Sequence, residues 1–205
     1  AVAFHRMGIF VMRHGKQDQA LLEQGLVYAR KTGERCLISS ALINLGELVR
    51  LQMDYERVAT LYDEALTIQR QLGDTYGLAV SLHNQGHVAL RQGDIARATA
   101  LFKKSFAIYR EHGRKQGMVE CIAAMGGVAA ALQQPARAAR LLGATEALFA
   151  GLKATMDPTD RVDYEHNSAV ARAQTDERAF AAAWAEGRAM TLEQAALLAI
   201  GETRS

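Results

Sequence analysis

Apolar residues recur along this chain at helical spacing, and the pattern itself repeats with a period of about 40 residues. Leu78, Leu82, Gly86 and Ala89 fall on one face of a helix running from about Thr75 to Arg91. Ala98, Leu101, Phe102, Ser105, Phe106 and Tyr109 form the stripe of a second, from about Ile95 to His112. Between them, Gly93 suits the left-handed residue that ends a helix, and Asp94 is a good N-cap for the next. Asp54 and Gln134 stand in the N-cap place of the neighbouring units, and Pro135 is welcome as a first helical residue. Gly46, Gly86 and Gly126 are equally spaced inside the first helices, and Gly33, Gly73 and Gly113 keep the same spacing at the unit ends. One step further back, Gly8 takes the helix-glycine role and Ala20 that of Ala98, a slightly shorter step that implies a shorter first linker. A fixed period of this size marks stacked repeats, here four: 1–33, 34–73, 74–113 and 114–153.

Glycine inside a helix costs about 1 kcal/mol against alanine, so its recurrence needs a reason. A missing Cβ lets the partner helix approach, and Tyr62, Phe102 and Leu142, which recur at the same period, are the expected fillers. After the fourth unit, Asp157 and Pro158 start a helix expected to run to about Gln174. Thr175-Asp-Glu starts another, with Phe180 and Trp184 on one face and Gly187 weakening its end. Thr191 to Gln194 read as a capping box for a short last helix. These helices, residues 154–200, would cover the apolar end of the stack with Trp184 as an anchor, and 201–205 should fray. The expected fold is all-α: a right-handed α-solenoid of about four helix pairs with a C-terminal helical cap.

Composition agrees and narrows the function. Two prolines in 205 residues favour helix nearly everywhere. A formal net charge of +2 gives no reason to expect nucleic acid or an anionic membrane, and no apolar run approaches the roughly 20 residues that span a bilayer. The small basic group Lys103, Lys104 and Arg110 reads as solvated surface. Cys36 and Cys121 fall two repeats apart, too far for a disulfide, so reduced thiols and a cytoplasmic setting are expected. The start at Ala1 lacks a signal pattern and reads as the cut edge of a longer protein. No Ser-His-Asp or Cys-His spacing and no phosphate-binding loop is recognisable, so no catalytic residue, cofactor or enzyme activity is expected.

The residues resemble the tetratricopeptide repeat. Leu82, Gly86, Ala98 and Phe102 carry its signature in the third unit, Val58 and Tyr62 in the second, Ala138 and Leu142 in the fourth. Leu42, Leu82 and Ile122 replace the usual early aromatic, the unit-ending proline is missing, and the period exceeds the roughly 34 residues common in the family. A narrower resemblance, over residues 134–148, 161–165 and 179–196, is to the C-terminal repeat region of bacterial LuxR-type, MalT-like and AfsR-like regulators and signalling ATPases. That resemblance implies a sensing role for the repeats, with the ATPase and output domains elsewhere in the parent.

In such stacks the first helices line the binding face. Residues off the packing stripe are His5, Arg6 and Arg13 in the first unit, Asn44, Glu47 and Arg50 in the second, His83, Asn84, His87 and Arg91 in the third, and Glu120 in the fourth. Toward Ala123, Gly127 and Ala130 the face becomes smooth and small. Asn44 and Asn84 occupy one slot, and amides offering donor and acceptor can grip a peptide backbone or bond to neighbouring repeats. His83 and His87 are four apart, a spacing that can hold zinc, but with no evident third ligand they read as lining residues and no metal is expected. The function expected is a non-catalytic interaction and regulatory domain binding a protein or peptide segment, with no direct nucleic-acid or membrane contact. The alternatives are a sensor for a small inducer in the alanine- and glycine-lined half, or an oligomerisation scaffold forming a homodimer.

Overall fold

The computed structural model describes residues 16–201, and every regular element among them is an α-helix. In chain order these are α1 (Lys16–Thr32), α2 (Arg35–Leu51), α3 (Tyr55–Leu72), α4 (Thr75–Arg91), α5 (Ile95–Glu111), α6 (Lys115–Ala131), α7 (Pro135–Leu152), α8 (Pro158–Ala173), α9 (Glu177–Arg188) and α10 (Leu192–Ile200). The expectations for Gly8 and for the tail at 202–205 lie outside the described residues. The chain divides between Val88 and Ala89 into two compact units.

The turns repeat as the sequence does. Gly33, Gly73 and Gly113 have φ of 72°, 65° and 63°, and the equivalent place in the next unit is Lys153, at 51°. The turn inside each pair puts Met53, Gly93 and Gln133 at 61°, 81° and 58°. The left-handed geometry therefore persists where glycine does not. Asp54 accepts from the Arg57 N–H at 3.2 Å and Asp94 from the Arg97 N–H at 3.0 Å, each tying down an otherwise orphan donor. Gln134 heads α7 without a side-chain cap, and Pro135 there needs no donor partner.

In the first unit, Leu42, Leu45 and Val49 of α2 meet Val58, Tyr62 and Ala65 of α3, joined by Leu26 of α1 and Val88 of α4. Gly46 is the contact that sets the helix separation: a Cβ there would run into the Tyr62 ring. The expected register of α1 is out of step. Ala20 is exposed, whereas Leu26 and Ala29, one full period before Leu66 and Gln69, are buried. The reason is that α1 ends at Gly33 just as α3 ends at Gly73, so the regular step holds when counted from the helix end.

In the second unit, α6 is buried along nearly its whole length, packed by α5, α7, α8 and α10. Gly126 repeats the Gly46 device, a Cβ there falling 2.9 Å from Leu142. Gly187 is more than a weak helix end. A Cβ on Gly187 would strike the Arg140 carbonyl of α7, and one on Gly143 of α7 would strike the Trp184 carbonyl of α9. Two glycines, each facing the other helix's backbone, let α7 and α9 approach at main-chain contact. Their flanks are tied by Arg140 to Glu186 at 2.6 Å and by Trp184 and Arg188, which donate to Glu146 at 3.0 and 2.8 Å. The capping box of Thr191 and Gln194 opens α10, and Arg137 donates to the Leu198 and Ala199 carbonyls near its end, both at 3.1 Å.

Candidate functional site

The residues expected on the binding face come from α2 and α4 in the first unit, because positions 44, 47 and 84, 87 lie one turn apart on parallel registers of the repeat. His5, Arg6 and Arg13 lie outside the described residues. Asn44, Arg50, His83, Asn84 and His87 are all buried, and Glu47 is half-buried. Polar side chains at this depth require partners. Asn84 donates its amide to the Glu47 carboxylate across the α2–α4 step at 3.2 Å, and Gln85 donates to Asp63 of α3 at 2.6 Å. The two bonds hold the middle of α4 from both sides. His83 and His87 bring their Nε2 atoms to 3.1 Å, with ring centroids 4.7 Å apart and planes at 78°. Such a contact needs one Nε2 protonated and the other bare.

In the second unit, Arg91 directs both Nε and Nη2 to one oxygen of Asp163, at 2.9 and 2.6 Å. Glu120 accepts from Gln116 one turn earlier at 3.0 Å. The smooth face of α6 is not open. Helix α8 lies on it: the Asn167 amide fills the space a Cβ on Gly127 would take, and Gln174 donates to the Ala130 carbonyl at 2.9 Å. Small residues invite this, because each missing side chain brings the backbone of α6 within reach of polar groups on α8. The Tyr164 hydroxyl donates to the Leu142 carbonyl at 3.1 Å. Burial first, and then the Glu146 carboxylate, push that phenol above its ordinary range. Burial and the Arg91 guanidinium hold the His166 imidazole below its usual value, against a smaller opposing pull from Asp163.

Asp163, Asn167 and Gln174 are the site residues that the sequence reading missed. They carry a signal, since positions 163, 167, 171 and 174 share one helix face. A polar stripe on a helix ordinarily faces water, however, and nothing local marks this one as buried. Cys36 is exposed and Cys121 buried, its S–H 3.5 Å from the Ser105 hydroxyl. No helix among the described residues is long and apolar enough to cross a membrane.

The helix pairs, their left-handed turns and the glycine-to-large contact between paired helices define an all-α chain of tetratricopeptide-like repeats. Residues 37–111 match the family model of the tetratricopeptide repeat. No curated protein and no solved structure matches the chain. Repeats of this family generally mediate contacts between proteins.

Proposed function

We propose that this chain is a non-catalytic interaction and regulatory domain, part of a larger bacterial signalling or transcription-regulatory protein, that binds a protein segment through the first-helix face of its repeats. One observation carries the reading. In the second unit the face of α6 already receives a helix, α8, and Arg91, a residue expected to bind a partner, engages a carboxylate of that helix. A surface that seats a polar helix of its own chain has the chemistry to seat one from another: small residues for close approach, backbone carbonyls within reach of side-chain donors, and a guanidinium for a carboxylate. In the first unit the same register carries the amide and carboxylate of Asn84 and Glu47.

The test is selection from a displayed peptide library on the whole chain and on two variants, Asn84→Ala and Arg91→Ala, each checked for helix content by circular dichroism. Peptides enriched on the wild type should lose about tenfold or more in affinity on at least one variant, the size expected for one charge-assisted hydrogen bond. Equal enrichment on all three proteins would move the binding surface elsewhere. No enrichment on any of them would overturn the reading in favour of a small-molecule sensor or an oligomerisation scaffold.

A further inference from the structure

We propose that His83 and His87 form a chelating site for a transition-metal dication of the imidazole-preferring class, zinc, nickel or copper. The two residues are four apart on α4, which stacks their side chains on one helix face. Their Nε2 atoms are 3.1 Å apart. Two imidazole nitrogens on one tetrahedral zinc, each at about 2.0–2.1 Å, stand about 3.3 Å apart. The rings therefore need to open by only a few tenths of an ångström to accept the ion. Their planes, at 78° to one another, already point two nitrogens at a common space without stacking the rings.

The chemistry of the exchange is simple. In the metal-free chain one Nε2–H sits between the two nitrogens. In the complex each ring carries its proton on Nδ1, both Nε2 lone pairs face the cation, and no proton need leave the protein. The helix turn is pre-set for this. Asn84 and Gln85, which lie between the two histidines, are bonded to Glu47 and Asp63 at 3.2 and 2.6 Å. A pinned turn loses little freedom when the chelate closes. Hard cations such as magnesium, which prefer oxygen ligands, would be rejected. Because both rings are buried, with 4% and 3% of their residues' surface exposed, uptake is expected to be slower than mixing.

The experiment is equilibrium dialysis of the whole, chelator-treated chain against zinc, nickel or magnesium chloride, with bound metal quantified. One zinc or nickel ion per chain should bind, and magnesium should not. His83→Gln and His87→Gln should each weaken binding by at least about tenfold, while His112→Gln and His166→Gln should leave it unchanged. Nitrogen NMR of the wild-type imidazoles supplies an arm that does not depend on any variant folding: zinc should shift the Nε2 signals of His83 and His87 together. Absence of stoichiometric binding, unchanged affinity in the His83 and His87 variants, or shifts confined to other histidines would each overturn the site.

Discussion

Among the described residues, Met53, Gln133 and Lys153 hold the left-handed turn without being glycine, and they show what the repeat demands of its chain. Lys153 stands at φ 51°, where the three preceding units place Gly33, Gly73 and Gly113. A side chain in this region costs roughly 1–2 kcal/mol, part of which glycine returns through its larger unfolded-state freedom. Because the lysine is exposed, Lys153→Gly should stabilise the chain by about 0.5–1 kcal/mol in urea unfolding. Tyr164 is the titrating residue with the clearest consequence. Its phenol is held neutral in the folded state by burial and by Glu146, so its folded pKa lies above the unfolded one. The folded chain then keeps a proton that the unfolded chain loses, and stability falls as pH rises above about 10. Tyr164→Phe should flatten that alkaline decline while lowering stability at neutral pH, because the bond to the Leu142 carbonyl is gone; unfolding curves taken on both sides of the phenol range would show both effects.

Between helices, the glycines divide by what they face. Gly126 faces the end of the Leu142 side chain, which can turn aside. Gly143 and Gly187 face carbonyls, which cannot. Gly187→Ala should force α7 and α9 apart and cost about 2–3 kcal/mol, more than Gly126→Ala at about 1 kcal/mol; chemical unfolding of the two variants side by side would test the order, and a reversed order would show that the α7–α9 contact is soft. The seat of α8 is the second element-scale feature. Its ties to α6 and α7 are polar, through Asn167, Gln174 and Tyr164, and its pairing with Arg91 is half-shielded, with side-chain exposures of 27% for the arginine and 10% for Asp163. Asp163→Ala would leave the guanidinium without this carboxylate and should lower stability by about 1–3 kcal/mol, with faster amide exchange concentrated in α8. Uniform exchange across the chain would mean that α8 is not separately held.

At the scale of the whole molecule, charge and repeat shape the expectations. A net charge of +2 over 205 residues gives no reason to expect nucleic-acid binding. Fluorescence anisotropy with a random duplex at about 0.15 M salt should show no saturable binding. The helix pairs, their turns and the caps at Asp54, Asp94, Asp157 and Thr191 were legible from the chain alone, because each depends on residues within a few positions of one another. The repeat also exposed the Gly46–Tyr62 and Gly126–Leu142 contacts, since periodicity carries one long-range fact from unit to unit. The register of α1 was misread because Ala20 matched by residue type, whereas the buried surface follows the helix end at Gly33. The cap hid most. Helix α8 has no repeat partner to compare with, and its buried polar face has the spacing of a solvated one.

The sequence by itself determined the helices, their turns and the pairing of glycine with a large side chain, because these follow from backbone preferences and from a pattern repeated along the chain. The tertiary structure alone decided that the small face of α6 is covered, that Arg91 meets Asp163, that Gly143 and Gly187 face opposing backbones, and that two histidines one turn apart turn their nitrogens toward each other. Those facts depend on which surface a helix chooses, and that choice is made by the fit of side chains far apart in the chain.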